Sequence, residues 1–124
     1  MPTFHQPFSG FAVADVPAAL TFYRDVLGLD ASEGEMGIGV IHLGGGHDVI
    51  FYPKGDDHEP ASFTILNLPV DDVGAAVAEM TGAGIDFVTY EGAPQDEHGV
   101  MRGYGPDIAW FTDPSGNVFS VIAR

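Results

Sequence analysis

Val13-Ala14-Asp15-Val16-Pro17-Ala18-Ala19-Leu20 returns 57 residues later as Val70-Asp71-Asp72-Val73-Gly74-Ala75-Ala76-Val77. Five of the eight pairs are identical, and Leu20/Val77 is a conservative exchange. Each copy follows an apolar run and opens a helical pattern, so both halves make the same strand-to-helix crossing. The chain reads as a duplicated module of about 60 residues. Module one covers about residues 5–53, a polar linker follows at 54–61, and module two covers about 62–124, all within a single domain.

Outward from the first copy, Phe8 to Val13 reads as a strand with Phe11 and Val13 on one face. Asp15 caps a helix, and Pro17 falls in its first turn, where a missing N–H is harmless. Val16, Leu20, Tyr23 and Leu27 form one apolar stripe at helical spacing, and Gly28 is placed to end it in a left-handed C-cap. Leu29 to Glu35 follows as an edge strand. Gly39 to Leu43 and Asp48 to Tyr52 are short β-rich runs around Gly44-Gly45-Gly46-His47, which predicts a hairpin. A phosphate cradle needs a helix or a lysine after the glycines, and neither is present.

The second copy repeats the plan. Strand Ser62 to Leu68 precedes the Asp72 cap, and Val73, Val77 and Met80 lie on the buried side of the helix. Ile85 to Thr89 is a strand, and Glu91 to Asp107 a long irregular segment. Ile108 to Thr112 and Val118 to Ile122 pair around Asp113-Pro114-Ser115-Gly116-Asn117, a stretch with sound turn chemistry. Each half is thus strand, helix and three strands. The fold expected is α+β: two tandem βαβββ modules forming a curved, half-open barrel of eight mostly antiparallel strands, with two outer helices and a concave cleft.

Composition narrows the partners. Net charge is −14, and Arg24, Lys54, Arg102 and Arg124 are the only fixed cations. Nucleic acid and anionic membrane surfaces require clustered Lys and Arg, so neither is expected as a partner. There is no cysteine, hence no disulfide and no thiolate chemistry. The start lacks the pattern of a signal peptide and no apolar run is long enough to span a bilayer, so a soluble cytoplasmic protein is expected.

The order of elements, together with specific residues, resembles the vicinal oxygen chelate superfamily: glyoxalase I, bleomycin-resistance proteins, fosfomycin-resistance transferases and extradiol dioxygenases. Val13-Ala14-Asp15-Val16 running into Phe22-Tyr23-Arg24-Asp25-Val26-Leu27-Gly28-Leu29 carries the likeness, matched by Val70-Asp71-Asp72-Val73 and by Trp110-Phe111-Thr112-Asp113-Pro114-Ser115-Gly116-Asn117. It spans nearly the whole chain. The resemblance implies a divalent metal held by His and Glu on inward strand positions, and a homodimer. It places those positions seven residues before each capping aspartate, at Phe8 and Ile65. A third stands four after the turn glycine, at Ser120, and the fourth within Ile50 to Tyr52, at Phe51. None of these four residues makes the usual metal site, so no metal and no other cofactor is expected.

The remaining candidates each have a plainer alternative. His42 stands mid-strand and is either a base or donor in the cleft or a hydrogen-bonded rim histidine. His5, His47 and His58 read as surface. Asp56-Asp57-His58-Glu59 and Asp96-Glu97-His98 read as solvated charge. Asp113, Ser115 and Asn117 imitate a calcium loop, but Val118 and Arg124 stand where its glycine and glutamate belong. Arg102, in a mobile-looking glycine-rich loop near the cleft mouth, clamps a ligand anion or pairs with one of 18 acids. Trp110 and Phe111 alternate, so one faces inward.

With Phe8, Phe51, Ile65 and Trp110 the cleft is expected to be apolar and aromatic, with His42, Arg102 and Ser120 as its polar groups. The leading expectation is a metal-free protein binding a small apolar or aromatic molecule. The alternative is a divergent lyase or dioxygenase-type enzyme, using a non-standard metal site at His42 or metal-free proton transfer by His42, Arg102 or Tyr104.

Overall fold

A computed structural model describes all residues, 1–124. The chain divides into two compact units, Met1–Glu59 and Pro60–Arg124. In the first, β1 (Ser9–Val13) leads into α1 (Val16–Thr21), followed by β2 (Ala31–Glu33), β3 (Gly39–Gly44) and β4 (His47–Pro53). In the second, β5 (Thr64–Val70) leads into α2 (Val73–Gly82), then β6 (Phe87–Val88), β7 (Ile108–Thr112) and β8 (Val118–Ala123). The two βαβββ modules are as expected. Their hydrogen bonding forms two four-stranded sheets, ordered β1-β4-β3-β2 and β5-β8-β7-β6, and not one eight-stranded sheet. Each has one parallel pair, β1 with β4 and β5 with β8, and antiparallel pairs elsewhere. No helix is long and apolar enough to cross a membrane.

The repeated octapeptide works as a pair of identical caps. Asp15 accepts a hydrogen bond from the Ala18 N–H at 2.8 Å, and Asp72 accepts one from the Ala75 N–H at 2.9 Å. Each satisfies an amide that the helix cannot pair internally.

The first helix departs from its predicted stripe. Val16, Leu20 and Tyr23 are buried, but Leu27 is only half-buried. From Phe22 to Val26 the backbone winds as a π-helix, and the Leu27 N–H reaches back five residues to the Phe22 carbonyl. The wider turn rotates Leu27 off the line set by the α-helical residues. Gly28 closes the helix at φ +72°, as its C-cap role requires.

Each module has its core between helix and sheet. In the first, Phe11, Tyr23 and Phe51 meet, with Phe51 standing edge-on to Tyr23 at 5.0 Å. In the second, Phe87, Phe111 and Phe119 pack along one sheet face with α2 residues Val73 and Val77 also buried. The strands β2 and β6 are shorter than their sequence patterns suggest.

Candidate functional site

Strand alternation gives each sheet a second face, away from its helix. In module one the pairing register lays this face out in rows. Ser32 stands opposite Val40, Val40 opposite Ile50, and Ile50 opposite Gly10. In the neighbouring row, His42 stands opposite Asp48. Directly opposed residues share a face. Phe8, Val40 and Ile50, with Gln6 and Asp48 at the rim, line a concavity of about 340 Å³.

Across the rows runs a hydrogen-bonded chain. His42 Nδ1 lies 2.9 Å from Asp48 Oδ1, and His42 Nε2 lies 3.0 Å from Ser32 Oγ. An ionised carboxylate only accepts, so Nδ1 carries the proton facing Asp48. In the neutral ring, Nε2 is then an acceptor for the Ser32 hydroxyl. All three groups stay in contact with water; the His42 and Asp48 side chains are 39% and 47% exposed.

Neither Ser32 nor Asp48 was evident as a functional residue in the sequence. A plain two-residue turn at Gly45-Gly46 pairs His42 with Val49. Here the register shifts between His42 and Gly44, with Leu43 as the extra residue, and brings His42 opposite Asp48 instead. The signal was present as a histidine and an acid flanking a glycine hairpin, but the bulge that joins them is set by the glycine conformations.

In module two the corresponding face carries Trp110, opposite Val88 on one side and Ser120 on the other. The indole N–H donates to Thr64 Oγ1 at 3.2 Å, and Tyr90 stands edge-on to the indole at 5.6 Å. Ser120 is buried and donates to Asn67 Oδ1 at 2.6 Å. The β5–β8 register shifts between Thr64 and Leu66, making Ile65 the extra residue. The Trp110/Phe111 alternation thus resolves with Trp110 on the helix-free face and Phe111 in the helix-side core.

Phe51 is the clearest difference from expectation. It is wholly buried against Tyr23 and Phe11, on the helix side. Its neighbour Ile50 takes the helix-free position, because Gly39 opposite leaves room for the Phe51 ring and not for a side chain of its own.

Arg102 pairs with acids, one of the two readings open to it. It pairs with Asp96 and approaches Asp107 at 3.6 Å, beside the N-terminal turn of α2. It borders a groove of about 310 Å³ between α2 and the segment 96–102, lined by Val77, Ala78, Thr81 and Val100. Its charge is committed to acids. Tyr104 is largely exposed.

The segment carrying Arg102 is braced by side chains that stand in for strand partners. Gln95 accepts from the Tyr90 N–H and donates to the Val88 and Gly99 carbonyls. Asp96 accepts from the His98 and Val100 N–H groups and from Arg102. It is a structural hub where solvated charge was expected. His58 is likewise half-buried where surface was expected, while His5, His47 and His98 are exposed.

The Val100 N–H is the main influence holding the Asp96 carboxyl below its ordinary range, with Arg102 and the His98 N–H acting in the same sense against desolvation. Because the folded pKa is depressed, the stabilisation is complete above the unfolded value of about 4 and is lost as pH falls through the folded value. An acid titration followed by amide NMR should therefore shift the Val100 and His98 resonances below about pH 4. Asp96→Asn should remove that transition.

The metal implied by the resemblance finds no donors at its positions. Phe8 and Ile65 are hydrocarbon, Ser120 is tied to Asn67, and Ile50 faces the concavity. Nowhere does the chain gather three or more His, Asp or Glu side chains able to hold an ion. Imidazole and carboxylate ligands are what such metals select, and these residues do not fit one.

Two βαβββ modules, each with a helix packed on one face of its four-stranded sheet, define a vicinal oxygen chelate type of protein. A family model for the Glyoxalase/Bleomycin resistance protein/Dioxygenase superfamily matches residues 6–121, and the chain belongs to that superfamily. Among solved structures, a superfamily member from Sphaerobacter thermophilus DSM 20745 is 22% identical, with a TM-score of 0.67, covering 97% of this chain and 98% of that one. TnmS3, an antibiotic binding protein from Streptomyces sp. CB03234, is 22% identical, with a TM-score of 0.64 and 99% of each chain covered. Lactoylglutathione lyase from Agrobacterium tumefaciens is 21% identical, with a TM-score of 0.62, covering 99% of this chain and 96% of that one. At these identities the likeness is one of fold. Comparison with curated protein sequences yields no significant match.

Proposed function

We propose that the protein binds a small apolar or aromatic molecule on the helix-free faces of its sheets, without a metal. The observation that carries this reading is the replacement of metal-donor positions by a hydrocarbon surface, with Phe8, Val40 and Ile50 lining the concavity in module one. In module two, Trp110 presents an aromatic surface whose N–H is already satisfied, leaving its ring for stacking. On either face a flat ligand gains chiefly by covering that face's apolar groups, while a few polar atoms set its orientation. Similarity to an antibiotic binding protein and to a lyase is compatible with a binding module and with an enzyme. The lack of His and Glu at the positions where the family holds its metal favours binding. The protein is proposed to act as a homodimer, as its family resemblance implies, and in the cytoplasm.

Trp110 is the only tryptophan, so its fluorescence reports on module two alone. Titration with 2-naphthol, coumarin or quinoline should give a saturable change in that emission for at least one probe. A linear, non-saturating response to all three, indistinguishable from free tryptophan, argues against the reading.

A further inference from the structure

We propose that Ser32, His42 and Asp48 form an acyl-transfer site able to cleave activated aryl esters. The two hydrogen bonds, 3.0 Å from Ser32 Oγ to His42 Nε2 and 2.9 Å from His42 Nδ1 to Asp48 Oδ1, place a hydroxyl, a base and an orienting acid in series. That is the order required for a general base to activate a serine. Asp48 fixes the tautomer that leaves Nε2 free to take the hydroxyl proton. The three residues come from β2, β3 and β4, so adjacent strands and not a free loop hold the geometry.

The substrate class follows from the surroundings. Val40 stands opposite Ser32 and, with Ile50 and Phe8, lines the concavity that Asp48 also borders. An aromatic leaving group can cover this apolar surface while its acyl carbon meets Ser32. An aryl ester also makes the smallest demand on oxyanion stabilisation, because a phenolate departs readily. In the first step Ser32 Oγ bonds to the acyl carbon as its proton passes to His42 Nε2. The bond from acyl carbon to aryl oxygen then breaks, and the leaving group departs as the phenol with that proton, or as the phenolate while His42 gives the proton to solvent. In the second step a water molecule gives a proton to His42 Nε2 as its oxygen bonds to the acyl carbon; the bond from acyl carbon to Ser32 Oγ breaks, His42 returns the proton to Oγ, and the carboxylic acid leaves.

The test uses 4-nitrophenyl acetate and diisopropyl fluorophosphate on the intact protein, with peptide mass spectrometry to locate the adduct. The expected result is phosphorylation at Ser32 and release of 4-nitrophenolate. Ester turnover should fall about 100-fold in His42→Gln, the low end for loss of a general base. Ser32→Ala should abolish the adduct, and Asp48→Asn should slow its formation about tenfold or more. All three side chains are solvent-exposed, so circular dichroism of each variant should match the parent. Modification at other residues without Ser32, or labelling of Ser32 at an unchanged rate in His42→Gln, overturns the proposal. So does hydrolysis that survives Ser32→Ala, which would mark the imidazole alone as the reactive group.

Discussion

Gly39→Ala is expected to destabilise the protein by about 3 kcal/mol or more, at the upper end for forced overpacking of a core. A Cβ on Gly39 stands 2.0, 2.2 and 2.6 Å from three atoms of the Phe51 ring, far inside contact distance. The ring has nowhere to go, because Tyr23 meets it edge-on at 5.0 Å and Phe11 stacks at 6.1 Å. Phe51→Ala alone should cost about 3–5 kcal/mol through the void it leaves. The two changes occupy the same space, so in the double variant their costs should fall short of additive by more than about 1 kcal/mol. Urea denaturation of the four proteins measures this. Additive costs contradict the contact.

Asn117→Ala carries the second large effect, about 2–3 kcal/mol, since a buried hydrogen-bonding group would be lost and its partners left behind. Asn117 is 1% exposed, accepts from the Ala61 N–H at 3.1 Å and donates to Asp113 Oδ2 at 3.2 Å. Asp113 in turn accepts from the Ser115 and Asn117 N–H groups, each at 2.9 Å. The turn that joins β7 to β8 is therefore pinned to the start of module two. Loss of the carboxamide should lower the denaturation midpoint and expose the Ala61 amide to exchange. An unchanged midpoint contradicts that role.

The modular plan was legible because it rests on local chemistry written twice. Asp15 and Asp72 cap as their sequence setting requires, Gly28 turns left-handed, and the hairpins fall where glycine permits them. Sidedness was harder to read. Phe51 and Ile50 are adjacent, both apolar, and nothing in their own identities says which faces the helix. That choice is made across the strand pair, where Gly39 admits the larger ring. Arg102 was read as either an anion clamp or a partner of one of the many acids, and it pairs with Asp96 and approaches Asp107. The Ser32–His42–Asp48 chain was hidden for a related reason, since a one-residue bulge changes every partner beyond it. Long-range register, unlike caps and turns, is not encoded by neighbouring residues.

An apolar sheet face, and not a metal, is proposed to hold the ligand. Isothermal titration of 2-naphthol, coumarin and quinoline in excess EDTA, using the parent protein and Ile50→Glu, tests it most directly. Saturable binding of at least one probe, unchanged by the chelator, is expected. At least a tenfold loss is expected in Ile50→Glu, the effect of about 1.4 kcal/mol or more from placing a charge in the apolar concavity. Binding that appears only when a divalent metal is restored, or that ignores Ile50→Glu, would contradict it.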